Sequence, residues 1–126
     1  MSSRRIPALA FAADVVAVVV FAAVGRMSHA RPDDLVGLLG TAAPFLVGLV
    51  VAWVVPAVRA NPQGMRAGLV AWAGTVVLGL ALRAGFTGSL PWTFALVTLI
   101  SLGVLMLGWR GLTAAVAYAV DRRALR

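Results

Sequence analysis

Four long apolar runs, separated by short polar links, constrain this chain more than any other feature. They occupy residues 6–25, 35–58, 67–82 and 92–109. The third reaches residue 86 if Arg83 is tolerated within it, and the fourth reaches residue 120 if Arg110 is. A helix rising about 1.5 Å per residue crosses the ~30 Å hydrocarbon core in about 20 residues, so each run is a spanning candidate. None alternates apolar and polar residues with period two, and a membrane barrel needs at least about eight strands. The predicted fold class is therefore all-α: a polytopic membrane protein, one domain over residues 1–126, built as a bundle of four transmembrane helices. Composition agrees. The chain is 62% hydrophobic and 12% charged over 126 residues, against about 45–50% apolar and 25% charged for a soluble domain. A soluble chain this short could not bury so much apolar side chain.

The links are short, as helical hairpins require. Asn61-Pro62-Gln63-Gly64 is a turn signal. Asp33 and Asp34 precede the second run, where carboxylates suit a helix N-terminus. Pro91 suits the first turn of the fourth helix. Charge sets the orientation. With the N-terminus in the cytoplasm, Arg4, Arg5, Arg59, Arg66, Arg110, Arg122, Arg123 and Arg126 lie inside, and Arg26, Arg31 and Arg83 lie outside. Eight against three is a positive-inside asymmetry, so both termini are predicted cytoplasmic. Trp53 and Trp109 then fall towards the inner boundary and Trp92 towards the outer. Trp72 lies about 9 Å inside the third helix and faces a neighbour on this reading. Ser3-Arg4-Arg5 before an apolar stretch resembles a signal peptide, but the run is long, carries Asp14 and precedes three more spans. It reads as a signal anchor.

Helices associate in lipid through close packing of small residues. Ala67, Ala71, Thr75 and Gly79 recur every four residues in the third run, and Gly40, Pro44, Gly48 and Ala52 do so in the second. Gly103 and Gly108 form a less regular pair in the fourth. One more step along the third row reaches Arg83, which places that side chain on the packed face. Pro44 has no N–H and leaves the Gly40 carbonyl without its helical partner, so a kink is expected there.

Asp14 is the charge that topology does not explain. It lies eight residues into the first run, about 12 Å from the inner face. A carboxylate there costs several kcal/mol unless paired or protonated. If the fourth helix continues to Val120, Arg110 lies roughly 15 Å above its inner end. That matches Asp14 in depth and predicts an ion pair between the first and fourth helices. The rival geometry ends the fourth helix near Trp109 and lays residues 111–126 on the membrane surface. Arg110 then snorkels to water, and Asp14 is neutral or faces a wet cavity.

Other chemistry is poorly supplied. No paired-carboxylate, Ser-x-x-Lys, Gly-rich phosphate loop or His-Glu-x-x-His motif occurs, so no catalytic residue and no enzyme activity is expected. All eleven basic residues are Arg, which excludes a lysine Schiff base. Cysteine is absent, which excludes disulfides and thiolate sites. His29 with Asp33 and Asp34 falls short of the ligand density a metal needs, so no metal and no cofactor is expected. The net charge of +7 sits between apolar runs rather than on a stripe, which argues for a lipid bilayer and against nucleic acid as partner.

The motifs also carry a resemblance. Phe11-Ala-Ala-Asp14-Val15, Gly25-Arg26-x-Ser28-His29, Thr41-Ala-x-Pro44-Phe45-Leu-Val-Gly48 with Trp53, Arg66-x-Gly68 with Trp72, and Gly108-Trp109-Arg110 together resemble a prokaryotic domain-of-unknown-function family, number 3054. The resemblance covers about residues 8–115. It implies a small four-helix protein of a prokaryotic cytoplasmic membrane and no particular activity. The leading functional expectation is a transport-related protein using Asp14, Arg83, Arg110, Trp72 and the Pro44 kink as a polar path near the midplane, as a homodimer. The alternative is an accessory or structural subunit docked on a larger membrane protein, and a lipid-active enzyme ranks last. The first predicts a water-accessible Asp14, and the second an exposed small-residue row along residues 67–79.

Overall fold

The computed structural model describes residues 5–28, 35–88 and 91–124. The expectations for His29, Arg31, Asp33 and Asp34, and for Arg4 and Arg126, lie outside the described residues. Five helices are present among them and no strand: α1 (Arg5–Ser28), α2 (Leu35–Val54), α3 (Pro56–Ala60), α4 (Met65–Thr87) and α5 (Trp92–Ala124). Three of these contain segments long and apolar enough to cross a membrane: Pro7–Gly25, Met65–Phe86 and Trp92–Ala124. The described apolar stretch of α2, Leu39–Val54, is shorter.

The second run differs from the single helix expected over residues 35–58. Pro56 disfavours helical backbone at the residue before it, and Val55 is extended at φ −65°, ψ 130°. The helix stops at Val54 and resumes as the short α3, with Pro56 in its first turn. Pro62 acts similarly on Asn61, which ends α3 at φ −149°, ψ 76°. The Gly64 N–H then bonds the Asn61 carbonyl at 3.0 Å and closes the predicted turn. At its far end α4 stops on Gly88, a left-handed residue at φ 76° whose N–H bonds the Ala84 carbonyl. Pro44 does not break α2, and its side chain is buried within an uninterrupted helix.

The four long helices form a ring in which α1 touches α2 and α5, and α4 touches α2 and α5. The α2–α4 contact is the most extensive, and small residues are the reason. A Cβ on Gly74 would stand 2.7 Å from the Ala52 Cβ, and one on Gly48 would stand 3.1 Å from the Thr75 carbonyl. Gly79 lies directly beneath the Phe45 ring. Ala67, Ala71, Thr75 and Gly79 are all buried, so the predicted row is used inside the chain rather than left exposed. Gly40 and Gly108 do not share this role; both are exposed with nothing within 4 Å of an added Cβ.

Towards the α1 C-terminal end, aromatic rings knit three helices together. Phe21 meets Phe45 edge-on at 5.2 Å, and Phe94 joins both at 6.4 and 6.3 Å. The half-buried Arg83 lays its guanidinium over the Phe94 ring at 4.2 Å, so its charge faces a ring rather than the exterior. The α5 helix settles the choice between the two geometries for the last run. It continues unbroken through Trp109 and Arg110 to Ala124, and from Leu112 onwards every described residue is exposed.

Candidate functional site

Asp14 and Arg110 meet at the opposite end of the ring from the phenylalanines. Arg110 Nη2 lies 2.7 Å from Asp14 Oδ2 and Nη1 lies 2.9 Å from Oδ1, a bidentate ion pair between α1 and α5. Both side chains are 0% exposed. Two tryptophans complete the carboxylate's surroundings. Trp53 Nε1 donates to Oδ2 at 3.0 Å, and Trp109 Nε1 donates to Oδ1 at 2.9 Å. Four N–H groups thus fill the roughly four acceptor positions of a carboxylate.

The guanidinium is held as fully. Nε donates to the Pro62 carbonyl at 2.9 Å, and Nη1 donates also to the Met106 carbonyl at 3.1 Å. Its carbon stands 4.4 Å from the Trp109 ring centre. Four of the five guanidinium N–H groups therefore have acceptors. A charge pair out of water is tolerable only with such geometry, because desolvation costs several kcal/mol per ion. Backbone features aim the parts. Pro56 opens α3 and Pro62 follows its end, and the connection they shape presents the Pro62 carbonyl to Arg110. Gly68 makes room for the arginine stem: a Cβ there would fall 2.6 Å from Arg110 Cδ. Phe11, one turn from Asp14 on α1, packs edge-on against Trp53 at 5.2 Å.

The clamp lies at the end of the α2–α4 pair, level with the Pro62 turn, rather than at the mid-depth of those helices. Asp14 is bonded to Trp53, next to last in α2, and Arg110 to the turn before α4. The α1 and α5 helices run past it. Nine residues, about 14 Å, separate Asp14 from the start of α1, and fourteen residues, about 21 Å, separate Arg110 from the end of α5.

The other residues singled out in the sequence sit elsewhere. Trp72 reaches from α4 to α5 and donates to the Leu99 carbonyl at 3.0 Å, its indole lying against Gly103. Pro44, Gly48, Thr75 and Gly79 belong to the α2–α4 crossing, where the buried Thr75 hydroxyl has no hydrogen-bond partner. Arg83 is at the far end with Phe94. Sequence reasoning missed four parts of the clamp. Trp53 and Trp109 were placed only as boundary aromatics, Pro62 only as a turn former, and Gly68 was given no role. A signal was present, since Trp53, Gly68, Trp109 and Arg110 all stand in the motifs that carry the family resemblance. Among the described residues no group of three His, Asp or Glu side chains could hold a metal ion.

The arrangement binds helices together and offers a ligand little. Every carboxylate position is occupied by a protein donor, so a cation or a further hydrogen-bond donor would have to displace one. Comparison with the curated proteins and with the solved structures gives no match. The pattern of one family, described as a protein of unknown function (DUF3054), matches residues 11–113, a stretch that takes in every side chain of the clamp. The chain belongs to this DUF3054 family.

Proposed function

We propose that the chain is a four-span protein of a prokaryotic cytoplasmic membrane, with both termini cytoplasmic, and that it serves as an accessory or structural component. In this reading α1, α2, α4 and α5 are the spans. Asp14–Arg110 is the lock that fixes their arrangement near the inner boundary. The antiparallel ring brings the start of α1, the α3 turn and the end of α5 towards one end, which gathers Arg59, Arg66, Arg122 and Arg123 there, as positive-inside orientation requires. The expected company is a larger membrane protein or a second copy. No catalytic role is assigned.

The observation that carries this reading is the closed bonding of Asp14, with four donors and no exposure. A relay group must exchange partners, and exchange here leaves a buried cation unpaired. This favours the structural role over a transport-related one, for which Asp14, Arg83, Trp72 and Pro44 would have to share a path. The clamp, the Arg83–Phe94 contact and the Trp72–Leu99 bond are instead separate. The buried row along residues 67–79 means that a partner must dock on another face.

Single cysteines test the choice, because the native chain has none. Met106, one turn from Arg110, is fully buried, whereas Gly111 is half-buried beyond the clamp. An impermeant maleimide is expected to label Gly111→Cys from the cytoplasmic side and to leave Met106→Cys unlabelled from both. Labelling of Met106→Cys from either side would overturn the structural reading in favour of a wet pathway.

A further inference from the structure

The exposed arginines at the clamp end stand at two depths. Arg59 and Arg66 flank the turn that joins α3 to α4, and Arg122 and Arg123 lie in the last turn of α5. Helices α4 and α5 run side by side up to the turn. Trp72 lies against Leu99 and Gly103, Gly68 against Leu107 and Arg110, and Met65 against Gly111. Gly111 therefore marks the level of Arg66 on α5. From there to Arg122 is eleven residues, about 16 Å. Residues 112–120 between them carry no charge and are all exposed, Leu112 and Tyr118 by 68% and 65%. The two apolar lengths differ accordingly: the span of α4 starts at Met65, whereas the uncharged stretch of α5 runs on to Val120.

We infer that Arg59 and Arg66 bind the phosphates of phospholipids drawn down from the clamp-end leaflet, which is thinned over the α3–α4 turn and keeps its full depth around α5. The inference rests on the bilayer-spanning reading above. A flat boundary satisfies only one tier of arginines. Set at Arg59 and Arg66, it leaves about 14 Å of uncharged helix in water, although a helix apolar on every side belongs in lipid or in a protein core. Set at Arg122 and Arg123, it sinks Arg66 by about 16 Å, a whole leaflet of a ~30 Å core and further than an arginine stem can snorkel. Tilting α5 does not help, because the contacts along its flank carry α4 with it. A locally thinned leaflet satisfies both tiers, and thinning is how a bilayer meets a short span or a submerged arginine. The descending headgroups meet guanidiniums with no carboxylate partner among the described residues: Asp14 is taken by Arg110, and Asp121 belongs to the upper tier. The planar guanidinium fork matches phosphate oxygens two at a time. A second copy packed along the overhang would set Arg122 and Arg123 against their own kind and leave the lower tier unanswered.

The test has a depth arm and a lipid arm. For depth, nitroxide labels are placed on single cysteines in phosphatidylcholine–phosphatidylglycerol vesicles and read by collision with oxygen, which favours hydrocarbon, against a water-soluble nickel chelate. Val116→Cys on the overhang is expected to read as hydrocarbon, like the exposed Val50→Cys and Val77→Cys, while Gln63→Cys on the turn, nearer the midplane, reads as headgroup or water. Val116 in water, or Gln63 in hydrocarbon, beside a hydrocarbon reading at Val50 and Val77 would overturn the inference alone. Aqueous readings at all four positions would overturn the spanning reading with it. For lipid, native mass spectrometry counts the phosphatidylglycerol retained by the protein. All four arginines are exposed, so paired substitutions should leave the fold intact. Arg59→Gln/Arg66→Gln is expected to lose several-fold more phosphatidylglycerol than Arg122→Gln/Arg123→Gln, which removes the same charge. Equal losses would make the basic end a uniform surface and overturn the inference. Displacement of the lipid by excess inorganic phosphate would give the site to a free anion and overturn it too.

Discussion

Replacing Asp14 by asparagine keeps the shape of the clamp and removes its charge. Each carboxylate oxygen accepts one indole N–H and one guanidinium N–H. Whichever way the amide is turned, its NH2 group therefore faces two donors and orphans both. The Arg110 cation, 0% exposed, loses its counter-charge at the same time. Breaking a buried pair by removing one partner costs about 3–5 kcal/mol, and Arg110→Met should cost as much by stranding the carboxylate. In the double variant Asp14→Asn/Arg110→Met no buried charge is left; one indole, the amide NH2 and the Pro62 carbonyl lack partners, neutral groups worth about 1–3 kcal/mol each. The double loss is thus expected to fall short of the sum of the two single losses by about 3 kcal/mol, the upper end of measured couplings. The assay is SDS-driven unfolding from neutral detergent micelles. Tryptophan emission reports it directly, since Trp53 and Trp109 bond to Asp14. A loss below about 1 kcal/mol for Asp14→Asn, set against the expected 3–5, would refute the reasoning. So would single losses that simply add.

Two further changes probe the clamp's supports. Trp109→Phe retains an aromatic ring and deletes one charge-assisted bond, so about 1.5–3 kcal/mol should be lost in the same unfolding assay. Gly68→Ala and Gly79→Ala should each cost about 1–3 kcal/mol through overpacking against Arg110 and Phe45. Gly108→Ala meets nothing and should be neutral or gain up to about 1 kcal/mol in helix propensity.

The long helices were legible because their apolar length is a one-dimensional property. The Asp14–Arg110 contact was legible for a similar reason: only one arginine matched the aspartate in distance from a helix end, once the fourth helix was allowed to continue. The boundaries at Val54 and Ala60 were less so, because one proline ahead of a hydrophobic residue decides them while the hydropathy runs on. Relative depth was less legible. Counting from Ile6 put Asp14 well inside the first run, but the bonds to Trp53 and Pro62 place it at the end of the α2–α4 hairpin. The α1 and α5 helices overrun their neighbours, and no count along a single run reveals that offset. The small-residue row on α4 was readable as a packed face, whereas its partner could come only from the three-dimensional arrangement. The motifs flagged Trp53 and Gly68, but their roles could not be derived from them. A donor to a carboxylate thirty-nine residues away, and a missing Cβ beside an arginine forty-two residues away, have no local signature.

The central claim is that Asp14 is closed off by protein donors, and the indole protons report this without any mutation. In the native protein, labelled at the tryptophan Nε1 and held in lipid nanodiscs, hydrogen–deuterium exchange can be followed for all four indoles. Trp92, 75% exposed, serves as the free reference. The account predicts that the Trp53 and Trp109 indole protons exchange far more slowly than that of Trp92. Exchange of either one at the rate of Trp92 would show water reaching the carboxylate, and the clamp would then be a wet site rather than a lock.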